Sequence, residues 1–421
     1  MPAASSAVHA PHPLRTRDFR LLFAGRTLSL LGDAVIPAAL ALAVLKATGS
    51  TSALALVLAC AMVPKLLLLP LGGVAGDRFD ARTIALTTDA VRCVTQLVVG
   101  AQLLSGSPTL WVIAAAEVVG GAAGAFAMPT GAPLVKGTVP TAALHRANAA
   151  LGIAQSATRL GGPLLGGTLV LTVGAGWAFL LDAATFAVSA VLLAAVRVAR
   201  VPVPRSSLRA DLREGWQEVR SRDWYWTSLI GHSAWNGAAA VLMTLGPAIA
   251  IGRLGGEATW VVFLWTGSAG LLLGSLVAGR ARPRRPVLIA NLGLATYALP
   301  LVLLALPAPA PVTIAAYGIA QAGLGFLSPV WETAVQQAVP AHALARVTSY
   351  DWLLSLAAMP LGYLLGPLAA TAWGPEVPLL AAAVIVGGCC LGTALVPGVR
   401  RFGTEERADG RAVERAVDRG R

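Results

Sequence analysis

The sequence predicts an all-α integral membrane protein of about twelve transmembrane helices, set out as two six-helix bundles related by pseudo-two-fold symmetry. Three observations carry this. The 421 residues are 56% hydrophobic and only 12% charged, with a mean hydropathy of +0.71, whereas a soluble domain carries about 25% charged residues. Apolar runs long enough to cross about 30 Å of hydrocarbon recur along the whole length. Residues 125–167 also match residues 325–367 without a gap, at a constant offset of 200. Phe126 pairs with Phe326, Pro129 with Pro329, Val139-Pro140 with Val339-Pro340, Leu144 with Leu344, Arg146 with Arg346, Gly162 with Gly362 and Gly166 with Gly366.

Spans are expected at 20–45, 52–76, 83–104, 109–131, 147–172, 175–196, 224–251, 258–280, 286–306, 311–333, 346–371 and 376–398. Turn residues punctuate them at Gly49-Ser50, Gly106-Ser107-Pro108, Gly174-Ala175-Gly176, Pro307 to Pro311 and Gly374-Pro375. The loops alternate in charge. One set holds Arg15, Arg17 and Arg20, Arg78 and Arg82, Lys136 and Arg146, Arg197 through Arg222, Arg280 through Arg285, Arg346, and Arg400 with Arg401. The other holds only Lys46, Arg253, Glu257 and Glu376. Basic loops stay cytoplasmic, so both termini are expected inside the cell and the number of crossings is even. The expected location is the cell (plasma) inner membrane, multi-pass. The net charge of +12 therefore reads as topology, and the partner is a lipid bilayer rather than nucleic acid.

The expected organisation follows. Residues 1–14 are Ala/Pro/His/Ser-rich and read as a disordered cytoplasmic N-terminus without a cleavable signal peptide. Residues 15–196 form the first bundle and 224–400 the second. Residues 197–223 form a cytoplasmic linker in which Leu212, Trp216 and Val219 fall at helical spacing. That pattern predicts an amphipathic helix lying against anionic headgroups. Residues 401–421 are a charged cytoplasmic tail. Cys60, Cys93, Cys389 and Cys390 all lie in apolar runs. They show neither metal-ligand nor disulfide spacing, so no metal and no cofactor is expected.

Two motifs stand out. Arg159-Leu160-Gly161-Gly162-Pro163-Leu164-Leu165-Gly166-Gly167 puts a charge, a proline and four glycines in one apolar run. In water this would ruin a helix. In lipid it makes a bent helix whose small-residue face packs closely on a neighbour. The second motif, Gly72 to Arg82, joins the second and third spans. Its glycines allow close backbone approach. Asp77 ends the helix and can cap the next one or pair with Arg92, while Arg78 and Arg82 stay at the headgroups. Gly73, Asp77, Arg78, Arg82 and Arg92 are the candidate conformational latch.

These residues carry a resemblance. Gly73-Val74-Ala75-Gly76-Asp77-Arg78 resembles the loop motif of the major facilitator superfamily between helices two and three. Gly162-Pro163-Leu164-Leu165-Gly166-Gly167 resembles the fifth-helix motif of that family's proton-coupled exporters. The text around Leu181-Asp182-Ala183-Ala184-Thr185-Phe186 is similar to the branch containing macrolide and siderophore exporters. The resemblance spans roughly residues 15–400. Asp80, Ala81 and Thr158 depart from the motifs, Glu117 stands where many relatives carry a basic residue a little further on, and Arg280 takes the second-half place of Asp77. The resemblance implies alternating access, with export driven by inward proton flow and with the first, fourth, seventh and tenth helices lining the cavity.

Ionisable groups inside spans are costly, and so are functional candidates. Asp33, Glu117 and Arg159 are the proton-coupling candidates, with Asp33 and Glu117 facing the cavity and Arg159 as their partner. Arg26 and Lys65 join them as cavity candidates. In the second half, His232, Trp235, Asn236 and Trp331 are candidates to contact substrate. Glu332 and Asp351 lie near the cytoplasmic end and read as gate or interfacial positions. Trp224, Tyr225, Trp226 and Trp373 read as interface anchors. Arg26, Lys65 and Arg159 balance Asp33, Glu117 and Asp182, which leaves substrate charge open. Gly162, Pro163, Gly166 and Gly167 form the antiporter-type helix motif.

The expected function is a secondary active transporter, a monomer, exporting small amphipathic molecules against protons. A proton-coupled importer is the alternative. A membrane enzyme or sensor on the same scaffold is the distant third. No nucleophile–base pair, metal cluster or phosphate-cradling Gly-Lys-Ser/Thr loop is present in the sequence.

Overall fold

The computed structural model describes residues 13–140, 143–197, 208–281, 283–339 and 344–402; a few residues within those helices are described by their backbone alone. The chain is helical throughout the described residues. The long elements are α1 (Arg17–Thr48), α2 (Thr51–Arg78), α3 (Ala81–Leu104), α4 (Leu110–Ala127), α5 (Gly131–Thr138), α6 (Leu144–Thr172), α7 (Ala175–Ala195), α8 (Leu208–Arg220), α9 (Asp223–Arg253), α10 (Glu257–Arg280), α11 (Pro286–Ala295), α12 (Ala298–Ala305), α13 (Ala310–Ala338), α14 (Leu344–Leu356), α15 (Met359–Trp373), α16 (Glu376–Gly392) and the short α17 (Pro397–Arg401).

Among the described residues eleven stretches are long and apolar enough to cross a membrane, α11 with α12, and the end of α14 with α15, each counting as one. The expected fifth span is not among them. Its helix, α6, has 29 residues and reaches about 44 Å at 1.5 Å per residue. Arg146, Asn148, Gln155, Ser156 and Arg159 dilute its apolar character.

Proline sets where helices break. A proline lacks the N–H that would bond the carbonyl four residues back, and its ring collides with that carbonyl. Pro300 stands four residues after Thr296, where the expected 286–306 span divides into α11 and α12. Pro360 stands four residues after Leu356, where the expected 346–371 span divides into α14 and α15. Near Pro129 the fourth span ends in a 3-10 turn, Met128–Thr130, before α5. Pro163 and Pro329, in contrast, lie inside continuous helices. The two repeats thus share helix starts, at Leu110 and Ala310 and at Leu144 and Leu344, and differ in which helix is broken. Gly174 and Gly374, 200 apart, both take a positive φ, 100° and 85°, in the turns before α7 and α16. Only glycine adopts that conformation without steric cost.

The chain divides into two compact units, Met1–Ala43 with Cys60–Arg205, and Val44–Ala59 with Ser206–Arg421. The division departs from the expected boundary, because the turn between α1 and α2 groups with the second unit. There Thr51 borders a cavity lined by Leu245, Ile249, Arg253, Thr371 and Pro375.

In the first unit α3 packs on α4 and α7. Its lower core gathers Phe19, Leu22, Leu134, Val135, Ala147 and Leu193. Asp80, not Asp77, caps α3: its Oδ2 accepts from the Thr83 N–H at 3.0 Å and the Thr83 hydroxyl at 2.9 Å. This satisfies one of the orphan donors at a helix start. In the second unit α10 packs on α13, and α9 on α15 and α16. A Cβ at Gly270, Gly274 or Gly325 would collide with the backbone of the facing helix. That is the small-residue contact expected where lipid supplies no hydrophobic drive for helix association. Large apolar side chains such as Leu67, Trp111, Ile153, Val384 and Leu395 are exposed, as a lipid-facing surface requires.

Helix α8 belongs to the second unit. Val219 is buried, while half-exposed Trp216 packs against Tyr350 in a tilted ring contact, centroids 5.8 Å apart. Arg222 closes an ion pair with Glu218 at 2.6 Å. Of the expected disordered terminus 1–14 and charged tail 401–421, residues 1–12 and 403–421 lie outside the described residues, as do linker residues 198–207. Pro13 and Leu14 instead lie in a 3-10 turn, Pro13–Arg15, with Pro13 buried, and Arg401 ends α17.

Candidate functional site

The first unit gathers seven ionisable side chains within its helices: Arg26 and Asp33 on α1, Lys65 on α2, Asp89 and Arg92 on α3, Glu117 on α4 and Asp182 on α7. Arg92 is the hub. Its Nη2 donates to Asp33 Oδ1. Its guanidinium lies over the Phe186 ring, Cζ 4.1 Å from the centroid, a cation–π contact that strengthens when water is excluded. Asp89 and Asp182 lie within electrostatic range of the same guanidinium. Glu117 is in range of Arg92 and Asp33, and Lys65 of the same two. Arg26 faces Asp89 and Asp33 and presses on the backbone of Gly131, where a Cβ would meet Nη2 at 2.9 Å.

Two carboxyls are deeply enclosed. Asp89 is 7% exposed and its Oδ2 accepts from the Ser189 hydroxyl at 2.7 Å. Asp182 is fully buried. The Thr185 hydroxyl lies 2.7 Å from the Asp182 carbonyl and 3.3 Å from its Oδ1. Asp182 Oδ2 has no partner among the described residues. Small residues let the helices come this close. A Cβ at Gly32 would collide with Asp182 and Thr185, one at Gly162 with Ala34, and one at Gly166 with the Val35 carbonyl. The α6 motif thus seats α6 against α1 beside Asp33. Pro163 lies within α6 and Gly167 is buried.

Several expected placements change. Arg159 is exposed and makes no ion pair among the described residues, so the cation beside Asp33 is Arg92. Pro163, four residues on, has no N–H to donate to the Arg159 carbonyl. Arg92, read as a latch residue beside Asp77, bonds Asp33. Arg82 ties the start of α3 to the end of α7, donating Nε to the Leu193 carbonyl at 3.0 Å and Nη2 to that of Ala194. It thereby satisfies carbonyls that a helix end leaves unpaired. The side chains of Gly73, Asp77 and Arg78 lie outside the described residues. The expected charge balance also shifts. With Arg159 out, and Arg92 and Asp89 in, three cations face four carboxyls.

The second unit answers with aromatic rings. Asp351 accepts from the Trp331 indole at 2.6 Å and the Tyr225 hydroxyl at 2.9 Å on Oδ2, and from Ser355 at 3.2 Å on Oδ1. Trp331 is stacked on Tyr225, ring centroids 5.1 Å apart. Its other contacts are edge-on, with Trp224 at 5.5 Å and His232 at 4.6 Å. Trp224 is nearly buried and Tyr225 fully so, which corrects their reading as interface anchors. Of that group, Trp226 and Trp373 are exposed. His232 is 6% exposed and its Nε2 has no hydrogen-bond partner among the described residues. Asn236 donates to the His232 carbonyl at 2.9 Å, a bond internal to α9. Trp235 packs on Tyr297 at 4.9 Å, and its indole N–H is unbonded among the described residues. Glu332 is exposed.

Sequence reasoning missed Asp89, Asp351 as an anchored carboxyl, and the Asn291–Ser228 hydrogen bond of 2.8 Å. Asp89 left a signal, an acid inside the expected third span. Asp351 left none that separates it from Glu332, since only the fold turns one inward.

Comparisons with known proteins bear on the whole arrangement. The family profile described as Major Facilitator Superfamily matches residues 22–351. The chain is 27% identical to the multidrug efflux pump Tap of Mycobacterium tuberculosis over 429 aligned positions, which cover 93% of this chain and 96% of that one. It is 27% identical to YfiS of Bacillus subtilis, named as an uncharacterized MFS-type transporter, over 77% of this chain and 80% of that one. Among solved structures, a POT family transporter in complex with 5-aminolevulinic acid superposes with a TM-score of 0.70 at 14% identity, covering 91% of this chain and 97% of that chain. A bacterial homologue of the lysosomal transporter Spinster does so with a TM-score of 0.66 at 15% identity, over 91% and 97%. At such identity these two speak for the fold.

Proposed function

We propose that this chain, which belongs to the major facilitator superfamily and is a multi-pass membrane transporter, exports small amphipathic molecules in exchange for protons. The observation that carries this reading is the cluster of seven ionisable side chains in the first unit, with one carboxyl more than its cations can neutralise. An unmatched carboxyl held among apolar helices is stable as the acid and becomes an anion only when water or a cation reaches it. A transporter that alternates access supplies those two surroundings in turn. The direction rests on Tap, whose name describes efflux.

In this reading Asp33 and Arg92 form the charged pair that keeps the cluster together, and Glu117, in range of both, is a proton-carrying carboxyl. Arg26 and Lys65 hold the cluster's balance. Trp235, half-buried and with its indole N–H unbonded among the described residues, is the aromatic donor an amphipathic solute would meet, with the buried rings of Trp331 and His232 behind it as apolar support. The Gly73–Asp77–Arg78 turn acts as a latch with Arg82. The two repeats act as paired six-helix bundles joined by the α8 linker. Both termini are cytoplasmic, and the working unit is a monomer in the inner membrane.

A susceptibility panel of drugs and metabolites on cells with and without the protein identifies substrates. Counterflow of a labelled hit, with and without a proton gradient, then tests direction. Export that collapses with the gradient fits the proposal; uptake that grows with the gradient contradicts it. Glu117→Gln is expected to abolish or uncouple export while expression is retained.

A further inference from the structure

Asp182 is the most enclosed described carboxyl of the first unit, 0% exposed. Among the described residues the one donor to its side chain is the Thr185 hydroxyl, 3.3 Å from Oδ1. That hydroxyl has a single proton and a nearer acceptor, the Asp182 carbonyl at 2.7 Å, so its bond to Oδ1 is the longer and weaker of the two. Oδ2 has no partner among the described residues. Gly32 seals the near side, since a Cβ there would collide with both Oδ1 and the Thr185 hydroxyl.

The groups that face Asp182 are Asp33 on α1, Arg92 and Cys93 on α3, and Glu117 on α4. Arg159, on the adjoining helix α6, is exposed. The one cation among the facing groups, Arg92, is bonded to Asp33. A buried carboxylate with one long hydrogen bond and no counter-ion of its own is the costliest state available to this side chain, and the neutral acid avoids it. One proton on Asp182 also brings the cluster to three cations and three anions.

Resting on the proton-coupled reading above, we propose that Asp182 holds the exchanged proton and that Arg92 swings between Asp33 and Asp182 to move it. In the state seen here Asp182 is the acid, and Arg92 pairs with the Asp33 carboxylate. In the other state Arg92 pairs with the Asp182 carboxylate. The Asp182 proton passes to water, and Asp33, having lost its cation, takes up a proton. The three side chains together keep the same net charge through the exchange, so no uncompensated charge is added to the low-dielectric interior.

Infrared difference spectroscopy on the full chain in lipid vesicles, stepped across pH, reads this without a substrate. The wild type is expected to show the carbonyl band of a protonated carboxyl. Asp182→Asn is expected to remove that band, and Glu117→Gln to keep it. Thr185→Val retains the carboxyl and removes the hydroxyl bonded to its Oδ1, so the band should move to higher frequency even where Asp182→Asn fails to assemble. A band that survives in Asp182→Asn, or that stays unshifted in Thr185→Val, overturns the assignment.

Protonophore sensitivity of export, measured in the same vesicles with ethidium and other fluorescent amphipathic cations, separates the two levels. Sensitive export with the band assigned to Glu117 rejects Asp182 alone. Export indifferent to protonophore, with no such band in the wild type, rejects both.

Discussion

The two units solve the problem of polar groups in lipid by different means. In the first, Arg92 meets Asp33 as ion to ion, and four carboxyls share three cations. In the second, the Asp351 carboxylate is held by neutral donors, the Trp331 indole, the Tyr225 hydroxyl and the Ser355 hydroxyl. An ion pair is bistable: either partner can be exchanged for a proton or another ion, at a cost set by what replaces it. The Asp351 carboxyl is held in place by three neutral donors, with no cation bonded to it among the described residues. The same repeat, legible in the 200-residue offset, thus carries an ion-paired cluster in one half and an aromatic frame around a carboxyl in the other.

The widest separation between the halves is expected at Arg92. Arg92→Gln leaves four carboxyls against two cations, and breaking a buried pair from one side costs toward the lower end of about 3–5 kcal/mol when one partner is partly exposed. Asp33 is that partner, with 36% of its side chain exposed. A fall in Tm of the detergent-purified protein of this order, recovered in large part by adding Asp33→Asn, is the expected outcome. An unchanged Tm would mean the pair contributes nothing.

Next comes the glycine contact that holds this centre. Gly162→Leu forces α6 off α1 and should cost about 1–3 kcal/mol or more through overpacking. Gly161, one residue away, has open space around its Cα. Gly161→Ala should therefore be neutral or stabilising by up to about 1 kcal/mol, since alanine is the better helix former. Thermal unfolding of the two variants side by side checks the contrast, and equal effects would refute the close α1–α6 contact.

In the second unit, Trp331→Phe keeps the ring and deletes the donor to Asp351. The expected loss is about 1–2 kcal/mol for a buried charge-assisted bond, with a changed substrate profile in the susceptibility panel and unchanged protonophore sensitivity. Loss of proton coupling in this variant would erase the distinction between the halves.

The smallest effect is expected at Arg159, the residue that first drew attention in the sequence. Being exposed and without an ion pair among the described residues, Arg159→Gln should alter stability by no more than about 0.5 kcal/mol and leave export within about twofold.

The sequence made some of this legible and hid the rest, for physical reasons. Apolar run length, loop charge and the repeat located each expected span in helix among the described residues. The fifth, α6, is a continuous helix whose polar residues keep it out of the strongly apolar stretches. The broken helices were not foreseen, because a proline one turn inside a run breaks some helices, at Pro300 and Pro360, and is absorbed in others, at Pro163 and Pro329. Neighbouring helices decide which. Within the candidate site, ionisable residues in apolar runs were found by cost alone, which identified Asp33, Lys65, Glu117 and Asp182. Pairing was not recoverable that way. Arg92 and Arg159 look alike on a line of text, and only three-dimensional packing turns one to Asp33 and the other to the surface. Asp351 and Trp224 were read by depth along the chain, whereas their burial depends on which way α9 and α14 face each other.

The central claim is that proton exchange belongs to the first unit and not to the second. Its most direct test is the number of protons the purified full chain takes up or releases on a step across neutral pH, read with a pH-sensitive dye in weakly buffered detergent. The account predicts that Glu117→Gln or Asp182→Asn lowers that number and that Asp351→Asn leaves it at the wild-type value. A loss confined to Asp351→Asn, with both first-unit variants unchanged, would contradict it.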